Sequence, residues 1–360
     1  MARNCTGAVA TTVPSYLPTF IMPIPAMTTE EFLQHSGADA IVEELKTYFR
    51  DSGQPLKVSD VTDAQGNQYV DLVQEGGGVL GIALVGYTYV LEKMGIRFFS
   101  MAGTSAGSIN AMLLACAGNK EDEKSGIITD RLVRLNMFSF VDGIPGSSGF
   151  TRFIQRFVSN MLMGKKPVRK IFNLFKWIVG SLLALTIACF VINFIRPGLA
   201  KWVGVAAAGV LLVFVVIIFI IITRFKLFAR NGYGLNKGAA FHQWIKETIS
   251  SFHIHADPAQ PSITNFADFA WHYMRLPAGM TVAEDTRRTN NEAPLMPLLT
   301  LITCDIVAER KIEFTRMWDL YWQKPEDVHP GDFVRASMSI PVFFESYSLS
   351  GIRQKSSVDK

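Results

Sequence analysis

The sequence predicts an α/β protein with a parallel-type central sheet, interrupted by an inserted pair of membrane-spanning helices. Strand patterns at 69–73 and 96–102 each run into a glycine-rich turn and then into a helical pattern, which is how a parallel sheet begins. A strong apolar strand pattern at 298–306 is expected to belong to the same sheet. Between these strands, the block 143–246 holds fourteen basic residues, no acidic residue and two long uncharged runs.

Four segments follow from this pattern. Residues 1–27 form an irregular arm, 28–150 the first part of the α/β domain, 151–246 the basic insertion, and 247–360 the second part of the domain. Thr28 and Glu31 have the spacing of a capping box, ahead of an amphipathic stretch that runs to about Arg50. Further helices are predicted at 81–92, 105–117, 239–251, 265–274 and 333–338, and a strand at 311–315 as a partner of 298–306 across a turn.

Charge and composition exclude several classes of protein. The chain has 35 Lys and Arg against 31 Asp and Glu, so removing the fourteen basic residues of the insertion leaves 21 against 31, a net charge of −10 elsewhere. Hydrophobic residues make up 49% and charged residues 18%, which excludes a disordered chain. The four cysteines are far apart and match no metal-ligand spacing, so neither a disulfide framework nor a zinc module is indicated. We expect no metal site and no cofactor.

The two uncharged runs, 177–195 and 202–223, predict transmembrane helices. Their 19 and 22 residues would span roughly 28–33 Å, which matches a hydrocarbon core of about 30 Å. Pro197 and Gly198 between them predict a tight hairpin. Basic residues are concentrated on the outer flanks of the two runs: Lys165, Lys166, Arg169, Lys170, Lys176, Arg224, Lys226 and Arg230. This distribution predicts that both globular parts lie on the cytoplasmic side of the membrane. It also favours contact with anionic lipid headgroups over contact with nucleic acid.

A serine sits in the second glycine-rich turn. Gly103-Thr104-Ser105-Ala106-Gly107 fits the nucleophile-elbow pattern, in which small flanking residues allow a sharp turn between a strand and a helix. The following helix would direct its positive end at the reacting centre. A glycine-rich turn with a serine helix cap is the alternative interpretation.

The first turn, Gly76-Gly77-Gly78-Val79-Leu80-Gly81, satisfies the dinucleotide-binding pattern G-x-G-x-x-G. That interpretation requires an acidic residue at the end of the second strand, where the chain has the Ser105 turn instead. Unhindered glycine amides can also form an oxyanion hole. Because a serine lies at the neighbouring strand end, we favour an oxyanion hole formed by Gly76, Gly77 and Gly78.

Together, three motifs resemble those of the patatin-like phospholipases: 75–81, 103–107 and Arg335-Ala-Ser-Met-Ser-Ile-Pro-Val-Phe-Phe344, with 301–306 similar to a later strand of that family. The resemblance implies a three-layer α/β fold and a serine–aspartate dyad that hydrolyses acyl esters of lipids. By that resemblance Ser105 is the nucleophile, and the amides of Gly76–Gly78 form the oxyanion hole.

The second member of the dyad is expected in an Asp-Gly-Gly or Asp-Gly-Ala turn after Pro341, and no Asp-Gly pair occurs there. Asp142-Gly143 lies before the hairpin and is interpreted as an ordinary turn, and Asp359 is assigned no role. The domain is therefore expected to be incomplete at its C-terminus, with the dyad aspartate outside this chain.

The sequence thus predicts an integral membrane serine lipid acyl hydrolase with its catalytic domain in the cytoplasm. Its partners would be a phospholipid or other lipid ester as substrate and anionic headgroups at the basic flanks. A catalytically inactive, membrane-tethered interaction protein of the same fold is the principal alternative, and a dinucleotide-dependent oxidoreductase is a weaker one.

Overall fold

The computed structural model describes residues 28–77, 81–135, 140, 234–283, 295–340 and 342–349, together with isolated helical positions between 173 and 226. Within these ranges the strands are β1 (Val61–Thr62), β2 (Gln68–Gln74), β3 (Ile96–Thr104), β4 (Gly234–Asn236), β5 (Thr281–Val282), β6 (Leu299–Asp305), β7 (Arg310–Phe314) and β8 (Val342–Phe344). The α-helices are α1 (Thr29–Ser36), α2 (Ala38–Ser52), α3 (Gly81–Lys93), α4 (Ala106–Cys116), α5 (Ser125–Val133), α6 (Ala239–Ser250), α7 (Phe266–Met274) and α8 (Pro330–Ser337).

The main sheet is mixed, which corrects the predicted parallel-type sheet. Its strand order is β5-β1-β2-β3-β6-β7. The centre is parallel, since β3 pairs in parallel with both β2 and β6. The edges are antiparallel: β1 runs against β2 and β5, and β7 runs against β6 because the two are joined by a tight hairpin turn. β4 and β8 form a separate parallel pair.

Helix α4 lies at the centre of the core. It packs against β2, β3 and β6, and every one of its residues except Ile109 is buried. Met112, Leu113 and Leu114 are completely buried, and a buried leucine side chain contributes about 1.5–3 kcal/mol to stability. A helix buried on all sides has no polar face, which is why its sequence is almost uniformly apolar or small. The core therefore holds both ends of α4 in fixed positions relative to the sheet.

The sequence predicts one continuous helical stretch near the N-terminus, but the structure has two helices there, α1 and α2. The predicted capping box is present: Thr28 Oγ1 accepts from the Glu31 amide at 3.1 Å, and Glu31 Oε2 accepts from the Thr28 amide at 2.8 Å. However, Gly37 adopts φ +73° and separates α1 from α2. Glycine enters this left-handed conformation without the steric penalty of a side chain, so the chain changes direction there.

A buried carboxylate joins α8 to α6. Asp332 accepts hydrogen bonds from His242 Nε2 at 2.7 Å, Lys246 Nζ at 3.1 Å and the Tyr347 hydroxyl at 3.1 Å. Burial alone would raise the pKa of Asp332, but the hydrogen bond from His242 and the charge of Lys246 outweigh it and lower the pKa to about 2. The group is therefore ionised at neutral pH, and this network fixes the position of α8.

Both predicted membrane spans, 177–195 and 202–223, fall mostly on positions outside the described residues. The described positions of this region are helical and exposed, among them Phe190 at 68%, Ile195 at 70% and Phe219 at 66%. Among the residues that the structure does describe, no helix is both long enough and apolar enough to cross a bilayer.

Candidate active site

Ser105 occupies the single position between β3 and α4. β3 ends at Thr104 and α4 begins at Ala106, and Ser105 itself has φ 52° and ψ −123°. A residue with a side chain reaches positive φ only at a cost of about 1–3 kcal/mol, so the surrounding structure must hold it there. The turn places the serine at the carboxyl edge of the sheet, beside the first amides of α4.

The two glycines of this elbow are required by close backbone contacts. A methyl group on Gly103 would lie 2.6 Å from the carbonyl carbon of Gly107, and one on Gly107 would lie 2.8 Å from the carbonyl carbon of Gln74. The first turn of α4 is thus pressed against the ends of β3 and β2. This contact explains why the sequence has glycine two positions before and two positions after Ser105.

The glycine-rich loop after β2 lies directly against the serine. A methyl group on Gly76 would overlap the Ser105 side chain, with Ser105 Oγ only 2.9 Å away. One on Gly81, at the start of α3, would lie 2.5 Å from Ala106 Cβ. Gly76 and Gly77 are exposed, and within the described part of the chain their amides donate no hydrogen bond. Gly78, the third predicted oxyanion-hole residue, lies outside the described residues.

The third motif also reaches the serine, which sequence reasoning did not anticipate. Ser337, at the end of α8, accepts a hydrogen bond from the Ser105 amide at 3.0 Å. Ser105 Oγ donates to Met338 Sδ at 3.5 Å, and the Ser105 carbonyl accepts from Ser108 Oγ at 2.6 Å. The sequence feature that could have indicated this contact is the motif at 335–341, which was recognised but given no role at the site.

No carboxylate of the described ranges is hydrogen-bonded to Ser105. Asp305 lies at the carboxyl end of β6, the strand next to β3, but its carboxylate is hydrogen-bonded within its own turn and to Tyr321. It accepts from the Val307 and Ala308 amides at 2.9 and 3.0 Å, and from the Tyr321 hydroxyl at 2.7 Å. Burial would raise the pKa of Asp305, but these hydrogen bonds outweigh it and hold the pKa below the usual 3.8. Asp142 and Asp359 lie outside the described residues.

A pocket at the opposite end of α4 is separate from this site. Lys120, Lys124, His272 and Arg275 are among the residues that line it. Lys120 and Lys124 are almost completely buried, and Lys120 packs on the Tyr273 ring at 3.9 Å. α4 has eleven residues, so this pocket lies roughly 16 Å from Ser105 along the helix.

His272, the buried histidine of that pocket, is expected to make the folded protein less stable at acidic pH. Burial, together with the charges of Lys124 and Lys120, lowers the pKa of His272 to about 4, and its Nδ1 accepts from the His255 amide at 2.8 Å. An unfolded histidine titrates near 6.5, so the unfolded chain takes up the proton first as the pH falls. We therefore expect His272 to contribute roughly 2 kcal/mol to the fall in the free energy of unfolding between pH 7 and pH 5.

Urea unfolding of the wild type and of His272→Gln at the two pH values measures this effect. The variant, which has no imidazole at this position, should show a smaller difference between pH 7 and pH 5. An equally steep fall in the variant would contradict the assignment to His272.

The fold and the site define the class of protein: an α/β protein with a serine held in a strained strand–helix elbow against a glycine-rich loop. The sequence model of the patatin-like phospholipase family matches residues 72–354, and the chain belongs to that family. Family membership supports lipid acyl hydrolysis in general, with lipid esters as the class of substrate.

A curated protein also matches part of the chain. It is "Uncharacterized protein YqhO" of Bacillus subtilis (strain 168), 57% identical over 47 residues. That stretch covers 13% of this chain and 16% of the relative, so it carries no functional information beyond the family. No solved structure matches the chain.

Proposed function

We propose that this protein is a membrane-anchored serine hydrolase that cleaves acyl esters of lipids, with Ser105 as the nucleophile. The observation that carries the proposal is the contact between the glycine loop and the elbow, whose residues Gly76 and Ser105 are 29 positions apart in the chain. The glycine loop lies so close to the elbow that a methyl group on Gly76 would overlap the Ser105 side chain. A strained serine beside amides that have no acceptor among the described residues is the arrangement that acyl transfer requires.

In the proposed reaction, Ser105 Oγ attacks the carbonyl carbon of the ester as its proton passes to a general base. The carbonyl oxygen of the ester becomes an oxyanion that accepts from the amides of the glycine loop, with Gly76 and Gly77 as the described donors. Collapse of this intermediate breaks the ester bond, and the alcohol leaves with the proton. Water then attacks the acyl-serine, which releases the fatty acid and restores Ser105.

The general base is proposed to be an aspartate, as the family resemblance implies, and no carboxylate of the described residues is hydrogen-bonded to Ser105. A serine hydroxyl is a weak nucleophile without a base, and among the described residues the hydrogen-bond acceptor for Ser105 Oγ is a thioether. This observation favours the second candidate, an inactive membrane-tethered interaction protein of the same fold.

Membrane attachment is proposed to come from the segments 177–195 and 202–223. Their uncharged sequences and basic flanks support insertion as a hairpin, with the flanks contacting anionic headgroups. Anchoring would keep the domain on the cytoplasmic face, beside the bilayer that contains its substrate.

Labelling with a fluorophosphonate, which reacts with activated serines, tests the proposal. Membranes carrying the 360-residue chain, its Ser105→Ala variant and its Ser100→Ala variant would be compared, and a form extended through any downstream reading frame would be included. Ser100 lies in β3, five residues before Ser105, and controls for loss of a serine hydroxyl.

We expect labelling that Ser105→Ala abolishes and Ser100→Ala preserves. Labelling of the extended form alone would locate the base beyond residue 360. If neither form is labelled, the hydrolase proposal fails and the interaction protein is favoured. Labelled protein that alkaline carbonate extracts from the membrane would contradict the anchor.

A further inference from the structure

We propose that Ser337 is the positioning residue of the nucleophile: its hydroxyl holds the Ser105 amide and thereby keeps the elbow in its reactive conformation. The inference rests on the proposed function and extends it, because it gives the third motif a role at the same site. Ser337 lies 232 positions from Ser105 in the chain, and the fold brings the two together.

The Ser337 hydroxyl bridges two strands. It accepts from the Ser105 amide at 3.0 Å and donates to the Ile302 carbonyl of β6 at 2.7 Å. Thr104 and Ile302 are the last paired residues of β3 and β6. The hydroxyl thus connects the strands at the point where β3 leaves the sheet, since it gives the Ser105 amide an acceptor and the Ile302 carbonyl a donor.

Ser337 is itself held firmly. Thr303 Oγ1 donates to the Ala336 carbonyl at 3.0 Å, which fixes the end of α8 on β6. Arg335 is only 3% exposed and donates to the carbonyls of Lys237 and Glu345 at 2.7 and 2.8 Å. The third motif is therefore a rigid support, and the position of Ser337 Oγ is set before any substrate binds.

The hydrogen bond has two consequences for Ser105. First, the bond offsets part of the cost of φ 52°, because the amide finds its acceptor only while the turn keeps this geometry. Second, the Ser105 amide is occupied and does not point at the substrate. The developing oxyanion must therefore draw its donors from elsewhere, which agrees with a hole formed by the glycine loop.

Three variants separate positioning from general stability. Ser337→Ala removes the acceptor, and Ser337→Thr retains a hydroxyl in the same place. Ser339→Ala is the matched control, since Ser339 lies two residues further on and bonds to Arg335 without touching Ser105. If Ser337→Ala fails to fold, Ser337→Cys keeps the side-chain size but offers a much weaker hydrogen-bonding group.

Amide hydrogen exchange at Ser105 tests the contact without requiring activity. We expect faster exchange in Ser337→Ala and wild-type protection in Ser337→Thr and Ser339→Ala. Equal exchange in Ser337→Ala and the wild type would overturn the proposal, even if no form of the protein is active.

The second readout is the fluorophosphonate labelling rate, with kcat and KM on a soluble short-chain ester. Ser337→Ala should lower the rate and kcat about 10- to 100-fold with KM nearly unchanged, because a displaced nucleophile affects the reaction more than binding. Ser337→Thr should restore most of the rate. Equal losses of labelling rate and kcat in Ser337→Ala and Ser339→Ala would indicate a structural role and contradict the proposal.

A wild type that is never labelled would refute the proposed function, and the exchange experiment would still decide the role of Ser337.

Discussion

Replacing Gly107 with alanine is expected to destabilise the protein by about 3 kcal/mol or more, because the new methyl group would meet backbone atoms that cannot rotate away. It would lie 2.8 Å from the carbonyl carbon of Gln74 and in still closer contact with its oxygen. Relief requires that α4 move off the end of β2, and α4 is the central helix of the core. Thermal unfolding should show a midpoint roughly 6–12 °C lower than that of the wild type.

Gly86→Ala is the matched control for this substitution. Gly86 lies inside α3, and a methyl group there would meet nothing within 4 Å. Alanine in a helix interior is favoured over glycine by about 1 kcal/mol, so this variant should be as stable as the wild type or slightly more stable. If Gly107→Ala has the same midpoint of thermal unfolding as the wild type, the elbow is not packed as described.

Replacing Gly76 with alanine is expected to reduce the reactivity of Ser105 about 100-fold or more while changing stability little. The methyl group would overlap the Ser105 side chain, so either the nucleophile or the glycine loop must move. Gly76 is exposed and follows the end of β2, and the loop can therefore shift without disturbing the core. The labelling rate and the thermal midpoint, measured on the same preparation, separate the two effects.

Gly86→Ala again serves as the comparison, since it adds the same methyl group away from the site. Gly76→Ala that reacts as fast as the wild type would contradict the close approach of the glycine loop. A large drop in the midpoint would instead indicate that Gly76 is a structural residue.

Local sequence signals predicted the framework of the site well. The helices predicted at 81–92 and 105–117 agree with α3 and α4, and the strand predicted at 96–102 is β3, which continues two residues further to Thr104. Each has a sharp boundary in the sequence, because glycine turns separate strongly apolar strands from helices. The capping box at Thr28 is equally local and is also confirmed.

Features that depend on distant residues could not be predicted. The antiparallel edge next to β2 comes from β1 and β5, each two residues long and too short to carry a periodic pattern. The contact between Ser105 and Ser337 depends on how α8 docks on β6, which neither sequence segment encodes by itself. The break at Gly37 was visible as a glycine, but the helical periodicity on both sides concealed it.

The most direct test of the central claim is peptide mass spectrometry of protein quenched during turnover of a lipid ester. We predict one acyl group on the peptide that contains Ser105, lost after treatment with hydroxylamine, and none on that peptide in Ser105→Ala. An acyl group on a different residue, with hydrolysis intact in Ser105→Ala, would contradict the assignment of the nucleophile.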